Sequence, residues 1–77
     1  MGYIMNVNKK DIENIKNVLK INTFYCFISY GLTTEKKQLK TAWGINNYIK
    51  RMREKHGNVH VKIVYFLDNM LFTLYEN

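Results

Sequence analysis

Residues 58–77 read NVHVKIVYFLDNMLFTLYEN. Two runs rich in β-branched and aromatic side chains flank Asp68 and Asn69, residue types that tolerate positive φ at both central positions of a type I′ turn. A two-residue turn fixes the register of the hairpin it closes. It pairs Leu67 with Met70, Tyr65 with Phe72 and Ile63 with Leu74 on one face, and Phe66 with Leu71, Val64 with Thr73 and Lys62 with Tyr75 on the other. The first set is uniformly apolar and is expected in the core. The second is mixed and, with Tyr25, Phe27 and Ser29 from an earlier strand, forms a half-apolar outer face.

Working back from the hairpin, residues 42–56 (AWGINNYIKRMREKH) fit a helix. Ala42, Ile45, Tyr48, Ile49 and Met52 fall within about 120° of arc. Gly57 supplies a C-terminal cap, and Lys50, Arg51, Arg53, Lys55 and His56 gather at the negative end of the helix dipole. The preceding LTTEKKQLKTA reads either as a turn over 33–36 leading into a short strand over 37–41 or as an early start to that helix, and the hairpin is favoured. Residues 23–30 (TFYCFISY) read as a mostly buried strand ended by Gly31. Before them Ile12, Ile15, Val18 and Leu19 recur at spacings of three and four, an amphipathic helix capped by Asn8 and ending near Ile21 and Asn22. Residues 2–7 read as a short strand or a loose end. The whole predicts one α+β domain over 1–77, a small antiparallel sheet of three to four strands with a C-terminal hairpin, packed against one or two helices.

A chain of 77 residues is near the lower limit for a core without disulfides or metal, and its 47% apolar and 14% aromatic content is enough to close one. The single cysteine, Cys26, excludes an intramolecular disulfide and makes the reducing cytoplasm the expected compartment, that of the host cell for a phage-encoded chain. No run approaches the length of a membrane helix and no leader pattern opens the sequence, so membrane and export are not expected.

Charge is uneven. Residues 31–56 carry seven of the twelve basic side chains against two acids, for +5, whereas the first thirty contribute +2 and the last twenty-one −1. Lys36, Lys37, Lys40, Trp43, Asn46, Lys50, Arg51 and Arg53 therefore form the candidate basic face. Asn, Lys, Ile and Tyr make up 34 of the 77 residues, so codon use in an A/T-rich genome accounts for part of the lysine content. On a helical wheel Trp43 lies beside Asn46 and Lys50, opposite the apolar arc, where an exposed indole among cations would stack a base or anchor a protein contact. The ordinary fate of tryptophan is burial, and that reading is favoured: Trp43 would fold back over the hairpin and finish the core. The second candidate surface is the outer sheet face, with Tyr25, Phe27, Lys62, Phe66, Leu71 and Tyr75. Coverage by the first helix, or burial against a second copy, is favoured there over base stacking.

Little in the sequence points to chemistry. His56 and His60 are separated by a helix-to-strand change and have no cysteine or carboxylate beside them, so neither a metal nor any other cofactor is expected. Cys26 reads as a small buried hydrophobe, and the six acids show no pairing suited to acid–base work. The expected function is that of a non-catalytic protein-binding module, a small phage- or mobile-element-type inhibitor or accessory regulator that occludes a surface of a protein partner, a nucleic-acid-handling enzyme being one such target. Direct DNA or RNA binding through residues 36–55 is the alternative, and self-association into a homodimer is a separate expectation.

Overall fold

A computed structural model describes residues 7–77. Six elements follow in the order α1 (Lys9–Val18), β1 (Phe24–Tyr30), β2 (Thr33–Leu39), α2 (Ala42–His56), β3 (His60–Leu67) and β4 (Met70–Glu76). The strands form one antiparallel sheet in the order β2-β1-β3-β4, a small α+β fold closed by a C-terminal hairpin. The expected strand over 2–7 lies outside the described residues.

Local chemistry sets each boundary. The Asn8 side chain accepts the Lys10 N–H at 2.8 Å and starts α1. That helix ends at Leu19, short of the expected Ile21, because Lys20 takes a positive φ of 58° that breaks the repeat. Thr41 caps α2 by accepting the Gly44 N–H at 3.0 Å, and Gly57, at φ 77°, closes its far end with its N–H on the Arg53 carbonyl. Between β1 and β2 the turn falls at Gly31 and Leu32, earlier than the expected 33–36. Gly31 alone there takes positive φ, the pattern of a type II′ turn, so Thr33 lies opposite Tyr30 and the strand runs to Leu39.

Asp68 and Asn69 have φ of 51° and 64°, as a type I′ turn requires, and the first four pairs of the β3–β4 hairpin have the expected register. The last two do not. Val64 faces Thr73 but Ile63 faces Tyr75 and Lys62 faces Glu76, so Leu74 is the extra residue of a β-bulge. A regular ladder would turn Tyr75 outward, whereas the bulge lets both Leu74 and Tyr75 pack against the core. It also places the Glu76 carboxylate 3.2 Å from His60 Nε2, and the Asn77 side chain then accepts the Val61 N–H at 2.9 Å.

Phe24, Cys26 and Ile28 of β1, Val61 and Ile63 of β3, Ala42, Ile45, Ile49 and Met52 of α2, and Ile12 of α1 form one buried cluster. Because α1 packs on α2 and contributes to that same cluster, both helices lie on one side of the sheet. The molecule is thin, 34 × 26 × 16 Å, and its other sheet face has no helix over it among the described residues.

Burial pushes the Cys26 thiol up from 9.0 to about 12. The unfolded chain releases this proton at a pH where the fold keeps it. Stability attributable to Cys26 should therefore be intact below pH 9 and fall as pH rises from 9 toward 12. Alkylation by iodoacetamide near neutral pH should be slower in the native protein than in denaturant by roughly a thousandfold, set by the thiolate fraction. Equal rates in the two states would contradict the burial.

Candidate functional site

Strand alternation places side chains on the open face in rows across the sheet. One row runs Lys36, Phe27, Lys62, Glu76 and the next runs Gln38, Tyr25, Val64, Thr73. Phe66 and Leu71 form the last pair on this face before the turn-flanking residues. Val64 is fully buried on this face, although no described helix lies over it, and the Tyr25–Phe66 ring pair lies in the neighbouring positions. Those two rings meet edge to face, 5.7 Å between centroids. Phe66 remains 54% exposed and Leu71 53% exposed, so Tyr25, Phe66 and Leu71 make a contiguous apolar patch at the hairpin end, bordered by Gln38, Lys62 and Thr73.

The patch continues around the hairpin tip. Met70 and Phe72 point to the helix side yet are 62% and 37% exposed, which corrects their expected place in the core. The helices support β1 and the neighbouring part of β3, and β4 lies outside them at the edge of the sheet. The composition of a strand reports how apolar it is, not whether it ends up central or marginal. This is why periodicity assigned Met70 and Phe72 to the interior. The bulge likewise removes Tyr75 from the outer face, where a regular register put it. Tyr25, Phe27, Lys62, Phe66 and Leu71 do share that face.

The expected basic face is not one surface. Lys36 lies on the open sheet face beside Phe27, but Lys37 points to the helix side with Nζ 5.7 Å from the centre of the Tyr48 ring. Lys40 is exposed in the connection before α2, and its carbonyl accepts from Lys16 Nζ at 2.9 Å. Lys50 and Arg51 are exposed along α2, and Arg53 is half-buried. Asn46 is occupied structurally: its side chain accepts the Val7 N–H at 2.9 Å and donates to the Val7 carbonyl at 3.1 Å, tying the segment before α1 to α2. Trp43 is 76% exposed, against the expected burial. Gly44 and Thr41 beside it are small, and its position at the start of α2 puts it on the rim of a groove of about 360 Å³ shared with Lys9, Ile12, Glu13 and Lys16 of α1.

Tyr30, His56 and Tyr48 make side-chain contacts within the fold. The His56 ring stacks on Tyr30 at 3.7 Å and 11°. The Tyr30 hydroxyl donates to Glu35, and that bond, more than burial, holds its proton above the ordinary phenol range. Tyr48 is raised mainly by burial. Among the described residues no group of three His, Cys, Asp or Glu side chains is placed to hold a metal ion. No described helix is long and apolar enough to cross a membrane.

Comparison with protein-family models, with curated proteins and with solved structures finds no match to this chain.

Proposed function

We propose that this chain is a non-catalytic protein-binding module that occludes a surface of a protein partner with its open sheet face, Tyr25, Phe66 and Leu71 forming the centre of the contact. The observation that carries this reading is the paired exposure of Phe66 and Leu71 beside Tyr25. Aromatic and aliphatic anchors inside a polar rim are the usual anatomy of a protein interface. Burial holds the Cys26 thiol protonated and the Tyr30 hydroxyl donates to Glu35, so neither of these two groups is offered to a substrate in this reading. Dispersal of the cations over both sides of a thin molecule favours a protein over a nucleic acid, because phosphate neutralisation needs them on one track.

Direct nucleic-acid binding is the second reading, and the exposure of Trp43 on the same helical stripe as Lys50 favours it. Affinity purification from the native host with three baits separates the two. The wild type and the Lys50→Glu, Arg51→Glu double variant should retain the same protein, while Phe66→Glu should lose at least ~90% of it, a change of more than about 1.4 kcal/mol. Retention of that protein by Phe66→Glu would overturn the proposal, and nucleic acid recovered with the wild type in place of a protein, and lost by the α2 variant, would favour the second reading.

A further inference from the structure

The two edges of the sheet are built differently. β2 carries Glu35, Lys36 and Lys37 along its length, the charged dressing that deters edge-to-edge pairing. β4 reads MLFTLYE, with no charge before Glu76, and no described residue lies beyond it. Because the Asp68–Asn69 turn has two residues, Leu67 and Met70 are its hydrogen-bonded pair, and bonding alternates from there along the hairpin. Met70 and Phe72 therefore direct their backbone groups to β3, and Leu71 and Thr73 direct theirs outward.

We propose that β4 pairs with β4 of a second copy about a two-fold axis through Phe72, joining two sheets into one of eight strands. With Phe72 opposite Phe72, the Leu71 N–H of each copy donates to the Thr73 carbonyl of the other, and the Thr73 N–H to the Leu71 carbonyl, which satisfies every outward group of that stretch. On the helix side Tyr65 and Phe72 already stack at 5.7 Å and 19°, so the same axis generates a row Tyr65, Phe72, Phe72, Tyr65 across the junction. A one-residue shift would place inward-directed backbone groups at the junction and lose this match.

Charge selects a second copy as the occupant. Residues 57–77 sum to −1 while the rest of the chain sums to +7, so β4 is the edge by which two cationic molecules approach with least repulsion. Pairing there holds the two lysine-bearing β2 edges seven strand spacings apart, about 34 Å, some four Debye lengths at physiological ionic strength, where that length is about 8 Å. The junction is small, so the dimer is expected to exchange with concentration. It also brings the two Tyr25, Phe66, Leu71 patches onto one continuous face, but it does not depend on their having a protein partner.

Sedimentation equilibrium of the purified protein from ~1 µM to ~1 mM, a range that covers weak association, should show the mass rising from 9.3 kDa toward twice that value. Phe72→Glu, and Thr73→Pro, which removes an outward donor the β3 ladder does not use, should each hold the mass at the monomer. Phe72→Cys, with Cys26 buried and inert, should form an interchain disulfide on mild oxidation, and Phe27→Cys at the centre of the open face should not. This disulfide pair decides the matter even if either of the other variants fails to fold by circular dichroism. A wild type that stays monomeric to the top of the range overturns the proposal. So does a dimer cross-linked through Phe27→Cys and not Phe72→Cys, which would place the contact on the sheet face.

Discussion

Phe24→Ala is expected to destabilise the protein by about 3–5 kcal/mol, the usual range for emptying a fully buried aromatic site. Phe24 is fully buried at the start of β1, opposite Leu39 of β2 and 6.1 Å from the Tyr65 ring in an edge-to-face contact. It is the largest side chain wholly inside, so its loss leaves a void that surrounding β-branched side chains, stiff at χ1, fill poorly. A domain of 77 residues has a total stability on the order of 4–12 kcal/mol, and the substitution removes a large part of it. Phe27→Ala, three residues on and on the open face, should cost less than about 1.5 kcal/mol, since no described helix closes over it. Urea denaturation of the two variants followed by circular dichroism measures the contrast. Equal costs would mean that both faces of β1 are equally enclosed.

Asp68→Pro should open the C-terminal hairpin. Proline fixes φ near −65° where Asp68 holds +51°, so the type I′ turn cannot form and the β3–β4 register loses its anchor. The expected cost is about 3 kcal/mol or more, with amide protection lost first over 70–76, because among the described strands β4 pairs with β3 alone. Asn69→Gly should act in the opposite direction, gaining about 0.5–1 kcal/mol, since glycine takes the +64° φ of that position without strain. Native-state hydrogen exchange with thermal melting reads both. A destabilising Asn69→Gly together with a neutral Asp68→Pro would show that the turn does not set the register.

Elements whose boundaries depend on neighbouring residues in sequence are legible from sequence. The Ala42–His56 helix lies between a Thr41 cap and a Gly57 terminator, and the Asp68–Asn69 turn needs only two residues able to hold positive φ. Properties that depend on which element lies beside which are not. The bulge at Leu74 arises because a one-residue insertion lets both Leu74 and Tyr75 reach a core that a regular ladder would offer to one of them. Met70 and Phe72 have the composition of core residues but lie on an edge strand beyond the helices. Trp43 sits outward because the apolar arc of α2 is already filled by Ala42, Ile45, Ile49 and Met52, an arrangement the helical wheel drew but average burial argued against. The grouping of Lys36 with Lys37, Lys50 and Arg53 rested on closeness in sequence, and strand alternation separates the first two onto opposite sides of the sheet.

An open apolar sheet face in place of a basic face is the centre of the functional account. A photo-reactive phenylalanine analogue placed singly at Phe66, at Trp43 and at Lys50, and irradiated in the native host, tests it most directly. The account predicts a discrete covalent adduct with a second protein from position 66, suppressed by excess unlabelled wild type, and none comparable from positions 43 and 50. Adducts with nucleic acid from positions 43 and 50, and none from 66, would contradict it.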